Sequence, residues 1–334
     1  KFFSKQIDNI KHTDVIKELF ERIQSSDVLL DLAHSPLPLL LMCLLWREDS
    51  ALPDTMSRLY NQALKYIFKR KGIPEEEMSK VVMTIGKAAL DGLVCSTQQL
   101  SFQERVFEKD VLDKALKAGI LTSKRVLKAL DTYNSVHFIH KTFQEFSAAK
   151  YLQSLLRKPN SVDFSEYLAK IGSPETLDYF LRFSCGDNEE CTGKILQMLE
   201  DKMDVRGVRA RRRRNYSSMR RFKVALNCYF ESQAKSLLVS NKFINSVITD
   251  CLKLDQFNYD EMNSVVWFLK HVADQIKDTG NINLAKVKEI ILNHCTINRC
   301  SEDLAHAMSS MTNLSIISMN RCSLTGRNMQ HIAS

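Results

Sequence analysis

Apolar side chains recur at three- and four-residue steps along most of the chain. Met56, Leu59, Tyr60, Ala63, Leu64, Ile67 and Phe68 form one such stripe, and at 3.6 residues per turn they share one face of an amphipathic helix. Its ends are marked by Pro53 and the start signal Asp54–Thr55 on one side and by Gly72 and Pro74 on the other. The same spacing predicts helices over residues 15–23, 78–93, 111–116, 143–156, 195–203, 222–238 and 262–276. Ten glycines and six prolines in 334 residues interrupt these stripes rarely, so a mainly α chain is expected.

Two stretches break the helical period. Ile120-Leu121-Thr122, a charged connector and Val136-His137-Phe138-Ile139 read as short strands on either side of a turn. Following a run of three helices, they are what a winged-helix domain needs. Near the end, Val287, Ile290, Leu292, Cys295 and Ile297 match Leu314, Ile317, Met319, Cys322 and Leu324 in the pattern L-x-x-L-x-L-x-x-N/C-x-L, 27 residues apart. That is the signature of a leucine-rich-repeat solenoid, with strand side chains alternating into the core, the cysteine filling or satisfying the bend, and residues 302–311 supplying the outer helix. Two repeats cannot bury their faces alone, so more are expected beyond the last residue. The chain also starts at Lys1 rather than Met, as an internal piece of a longer protein would.

Composition narrows the class. With 44% hydrophobic and 26% charged residues, the chain has the make-up of a globular protein with ample core. The longest apolar run, residues 37–46, contains Pro38, is bounded by charges and is too short to span a bilayer, so a buried helix and no transmembrane segment are expected. Nine cysteines without C-x-x-C or finger spacing read as reduced core thiols in a cytosolic protein. The formal charge of +8 is local: eight arginines lie between Arg206 and Arg221, and without them the chain is near neutral. With Tyr216 as its one aromatic, that run offers no stacking platform for single strands, and nucleic acid is not the expected partner. A solvated, self-repelling loop is the first reading, with an import signal or a lipid patch as others.

Candidate chemistry is sparse. No G-x-x-x-x-G-K-[ST] loop is present; the nearest string, Gly186 to Ile195, has six residues between its glycines, three of them acidic, and no hydroxyl after Lys194, so it reads as a loop between helices. No metal site is expected, because His137 and His140 would face opposite ways on an extended segment. His140 itself stands between the strand ending at Ile139 and a helix starting near Thr142. On residues alone it is a capping or packing histidine; the other reading is an imidazole donor to a phosphate.

Residues 136–152, Val-His-Phe-Ile-His-Lys-Thr-Phe-Gln-Glu-Phe-Ser-Ala-Ala-Lys-Tyr-Leu, resemble the end of the winged-helix domain of NACHT-type NOD-like receptors, where F-x-H-x-[ST]-F-Q-E-[FY]-x-A-A recurs. Ser35 to Trp46 is similar to the N-P-L-x-L-x-x-x-C helix of that family's first helical domain, with Ser35 in place of Asn or Gly and Pro38 as an extra proline. Leu52 to Tyr60 resembles the link into the winged helix, and Phe180 to Gly186 the L-R-F-x-C-G segment of the second helical domain. The segments follow in family order.

The resemblance implies a fold and a switch. Residues 1–50 would end the first helical domain, 51–157 form the winged helix, 158–286 the second helical domain and 287–334 the first, truncated leucine-rich repeats. His140 would touch the β-phosphate of ADP and hold a closed state, and Pro36 would pack on adenine, although proline at the start of a helix needs no ligand to explain it. This portion would not be an enzyme; slow ATP hydrolysis, with magnesium accompanying ATP, would belong to a nucleotide-binding domain outside it. The whole protein would exchange ADP for ATP on sensing a microbial or danger ligand or an upstream sensor protein, move its winged-helix, second helical and repeat domains as a block and form homo- or hetero-oligomers of inflammasome or signalosome type in innate immunity. The alternative is a leucine-rich-repeat scaffold or transcriptional co-regulator without nucleotide gating.

Overall fold

Thr55 shows how closely the local signals are obeyed. In a computed structural model of the chain, its Oγ1 accepts a hydrogen bond from Arg58 N at 3.4 Å, and the helix begins at the next residue. The structure describes residues 11–47, 51–95, 97–128, 131–157, 162–202, 216–234, 240–279, 284–297 and 300–323. It is mainly helical with two small sheets, and it divides into two compact units, Lys1–Tyr66 and Ile67–Ser334.

The first unit holds α1 (Lys11–Gln24), α2 (Asp27–Ala33), α3 (Pro36–Trp46) and most of α4 (Met56–Arg70). Leu41, Met42 and Leu45 of α3 and Leu59, Tyr60, Ala63 and Leu64 of α4 are buried, each large apolar side chain contributing about 1.5–3 kcal/mol. Both prolines of α3 fall in its first turn, where a missing N–H breaks no intrahelical bond. Pro36 is exposed at the start and Pro38 is buried.

The second unit begins with α5 (Glu75–Val94), β1 (Ser101–Gln103), α6 (Lys109–Ala118), the hairpin β2 (Leu121–Lys128) and β3 (Asp131–Phe138), and α7 (Lys141–Leu155). The strands make an antiparallel sheet in the order β1-β3-β2. Gly119, at φ 79°, ends α6 in the left-handed region that favours glycine and turns the chain into β2. Phe102, Phe107 and Phe138 pack edge to face under the sheet at centroid distances of 5.8 and 6.1 Å. Helices α5 and α7 cross at Gly86, where any Cβ would run into the Ser147 carbonyl oxygen. Apart from residues 129 and 130, which lie outside the described residues, the segment between the two expected strands is itself strand rather than connector. Residues Thr122–Arg125, Leu127, Tyr133 and Asn134 are exposed, so that part of the ribbon shows no apolar alternation to read.

Six further α-helices follow among the described residues, α8 (Val162–Lys170), α9 (Asp178–Cys185), α10 (Glu189–Lys202), α11 (Tyr216–Ser232), α12 (Asn241–Val247) and, after β4 (Cys251–Asp255), α13 (Tyr259–Thr279). The string from Gly186 to Ile195 is a loop only at residues 186–188; the remainder is the first half of α10. Asn188 Oδ1 accepts from Cys191 N at 2.9 Å, and the Thr192 hydroxyl is spent on the Cys185 and Asn188 carbonyls. The arginine run is likewise not all loop. Residues 206–215 lie outside the described residues, but 216–221 open α11, and Arg221 donates to Glu175 Oε2 and, at 2.7 Å, to the Lys202 carbonyl.

The chain then runs through β5 (Glu289–Asn293), α14 (Ser301–Ser309) and β6 (Ile316–Asn320). Strands β4, β5 and β6 are parallel and stacked in chain order, with α13 and α14 as the crossovers. Gln256, His294 and Arg321, each just past its strand, all take positive φ of 52–56°. Their N–H groups step across to the next strand's carbonyl for the first two, Gln256 to Asn293 and His294 to Asn320. The thiols of Cys295 and Cys322 reach back to the Leu254 and Leu292 carbonyls at 3.6 and 3.3 Å. Burial pushes the Cys295 thiol up to about 11, which keeps it a protonated donor. Leu324, the last position of the repeated pattern, lies outside the described residues. Strand β4 fits the repeated pattern poorly, because Thr249 stands where Val287 does and Phe257 where Cys295 does.

Candidate functional site

The polypeptide leaves β3 at Phe138, and Ile139 N bonds to the Ile120 carbonyl before the chain turns into α7 at His140. His140 is in extended geometry, φ −150° and ψ 148°, the usual conformation of a helix N-cap. Its Nδ1 accepts from Thr142 N at 3.3 Å and lies 2.8 Å from Thr142 Oγ1, while its carbonyl accepts from Phe143 N at 3.1 Å. The capping role expected from the residues is thus observed, with an imidazole nitrogen doing what a Ser or Asp oxygen usually does. The side chain is exposed, and Nε2 has no partner among the described residues.

The string around His140 divides into two halves. Ile139, His140 and Lys141 are at the surface, Ile139 56% exposed. Phe143, Gln144, Glu145 and Phe146 are all buried. Gln144 Nε2 donates to the Gln99 carbonyl at 2.9 Å, and Phe146 meets Phe183 of α9 edge to face at 5.3 Å. The second half of the motif is therefore a packing device that fixes α7 against its neighbours.

Glu145 is the polar exception inside that half. Its carboxylate reaches Lys141 Nζ at 3.5 Å, but its Oε2 has no hydrogen-bond partner among the described residues. Burial, opposed by Lys141 and reinforced by the charge of Asp178, pushes its carboxyl up to about 7. Asp178 on α9 is raised by burial as well, and its Oδ1 also lacks a hydrogen-bond partner among the described residues. One turn on, Arg182 is buried and grips Asp260 of α13 with two bonds of 2.7 and 3.3 Å, with Asp178 and Glu231 each 3.9 Å away. Burial alone would depress the guanidinium, but Asp260, Asp178 and Glu231 outweigh it. This ion cluster ties α9 to α11 and α13.

Pro36 belongs to the first unit and His140 to the second; Pro36 stands exposed as the first residue of its helix and His140 as the N-cap of its own. The Arg182 cluster went unread in the sequence. Its one signal was an arginine inside the apolar run from Phe180 to Cys185, which demands partners without naming them. Among the described residues no group of His, Cys, Asp and Glu could hold a metal ion, and no helix is long and apolar enough to cross a membrane.

No family model matches the chain. It is similar to the NLR family CARD domain-containing protein 4 of Xenopus tropicalis, 25% identical over 265 residues that make up 75% of this chain and 25% of that protein. The proteins of the same name from Bos taurus and Mus musculus match 58% of the chain at 23% and 24% identity. The chain is a distant relative of NLR-family proteins. It spans about a quarter of the length of the first of these relatives and about a fifth of the other two.

Proposed function

We propose that the chain is the regulatory and sensor-coupling portion of a cytosolic NOD-like receptor of innate immunity, and that its state is set by ADP or ATP held with a nucleotide-binding domain outside it. In this reading residues 1–50 complete the first helical domain, 51–157 are the winged helix, 158–286 the second helical domain and 287–334 the opening of a leucine-rich-repeat array. The parallel stack of β4, β5 and β6, with its repeated positive-φ bend and thiol-to-carbonyl contacts, supports the repeat assignment. The hairpin beside α5, α6 and α7 supports the winged helix. Distant similarity to NLR-family proteins supports the whole.

The observation that carries the switch is His140. A ring nitrogen without a protein partner among the described residues, exposed at the amino end of a 15-residue helix, suits an anionic phosphate oxygen. Pro36, exposed at the start of α3, is apolar and flat enough to lie against a base. Val15, Ile16 and Phe20 of α1 and Leu39 and Leu40 of α3 are exposed apolar side chains of the same unit, suited to cover by the nucleotide-binding domain. Bound nucleotide supplies the phosphate acceptor; His140 supplies a contact made in one domain arrangement and not in the other.

A ligand shifts a two-state equilibrium only by its differential affinity. One hydrogen bond to a charged group, about 1.5–3 kcal/mol, shifts it roughly tenfold to a hundredfold. In the full-length protein, His140→Leu is expected to speed ADP release and to favour spontaneous oligomers, read by nucleotide dissociation and size-exclusion light scattering. A variant that held ADP like wild type and stayed monomeric would remove the switch role. Catalysis has no place in this portion; any ATP hydrolysis belongs to the nucleotide-binding domain.

A further inference from the structure

The capping geometry at α7 fixes more than the position of the His140 ring. A backbone N–H can only donate, so the 3.3 Å contact from Thr142 N makes Nδ1 an acceptor. The Thr142 hydroxyl, 2.8 Å from the same nitrogen, then donates as well. With Nδ1 unprotonated, the proton of a neutral imidazole must sit on Nε2, the nitrogen that has no partner among the described residues. The opposite tautomer would place an N–H against the Thr142 amide hydrogen and forfeit the cap.

We infer that Thr142 is a positioning residue that holds His140 as the Nε2–H tautomer, so that the ring presents one outward donor, matched to the oxygen of a phosphate. The inference rests on the reading of His140 as a phosphate contact. Two donors on one acceptor also restrict rotation about the ring bonds. The donor therefore arrives pre-aimed, and less rotamer freedom is lost on binding. Serine keeps both donors at this position, whereas alanine keeps the amide alone.

Nitrogen-15 spectra of the selectively histidine-labelled full-length protein, with His140 assigned through His140→Gln, read the tautomer directly and without nucleotide. Wild type and Thr142→Ser are expected to show a protonated Nε2 and a bare Nδ1, and Thr142→Ala, which loses the 2.8 Å hydroxyl bond and keeps only the longer amide one, a larger share of the opposite form. ADP release should be near wild type in Thr142→Ser and faster in Thr142→Ala by roughly tenfold or less, the worth of one neutral hydrogen bond. A Thr142→Ala protein that melts near wild type excludes an unfolded turn, whose freed ring would also mix the tautomers. A wild-type spectrum with the proton on Nδ1 overturns the inference. So does a Thr142→Ala protein with unchanged tautomer and unchanged ADP release while His140→Leu releases ADP fast, and that result leaves the switch reading standing. If His140→Leu releases ADP like wild type, the switch reading falls, and the ligand assigned to the Nε2 donor falls with it.

Discussion

Two polar clusters sit on neighbouring turns of α7 and the helices it packs against, and they are built on opposite principles. At the amino end, His140 and Thr142 are joined by short local bonds, and the imidazole is open to solvent. One turn further on, Glu145 is buried beside the field of Asp178, and Arg182 is buried among Asp260, Glu231 and Asp178. The first cluster keeps a donor available. The second turns its charges toward one another inside the protein, where an unmatched charge is costly. A ligand contact belongs in the first setting, and a brace between helices in the second.

The comparison is broken most severely at Arg182. Arg182→Leu strands Asp260, Glu231 and Asp178 without their shared cation, and unfolding in urea should show a loss of about 3–5 kcal/mol. A loss under about 1 kcal/mol would mean that the carboxylates find water or protons cheaply, and the cluster would not be a brace.

Glu145 gives the next effect. Its folded value of about 7 lies above its ordinary value of 4.5, so the folded protein holds the proton more tightly than the unfolded chain. The stability tied to it is fully present below about pH 4.5 and is lost as pH rises through about 7. The loss is on the order of 3 kcal/mol. Asp178, also raised, tilts the curve the same way. Melting temperatures of Glu145→Gln between pH 5 and 8 should follow a flatter curve than wild type; parallel curves would place the proton elsewhere.

At the surface cluster the folding effects shrink. Replacing His140 by Leu removes an N-cap acceptor, a cost of about 0.5–2 kcal/mol in thermal unfolding, well below that of Arg182→Leu. The smallest change belongs to the exposed ribbon. Leu127, 79% exposed on β2, should tolerate Leu127→Lys within about 0.5 kcal/mol. A larger loss there would reveal a packing partner for the hairpin.

Different parts of this architecture are legible in the sequence to different degrees. The stripe from Met56 to Phe68 and its start at Thr55 can be read directly, because period and cap are properties of a few neighbouring residues. The paired pattern at Val287 and Leu314 gives the position of β5 and β6 for the same reason. The hairpin body hides because most of its described side chains face solvent, and β4 hides because Thr249 and Phe257 replace the aliphatic and the cysteine of its neighbours. His140 is visible as a strand-to-helix junction, but nothing in the string says which ring nitrogen is engaged. That follows from the dihedral angles of the turn, which place Thr142 N against Nδ1.

The mainly helical character, the boundaries of the best-marked helices, the 27-residue spacing of the last strands and the location of His140 at the mouth of α7 are all legible in the chain of residues. All of these depend on backbone geometry repeated over a few residues. Which half of the His137–Phe146 string faces water, where Gly86 lets α5 and α7 touch, and how Arg182 finds Asp260 78 positions away emerge from packing in three dimensions. Burial and charge pairing are set by what packs on top of a residue, and that partner is chosen by the fold rather than by the neighbours in the chain.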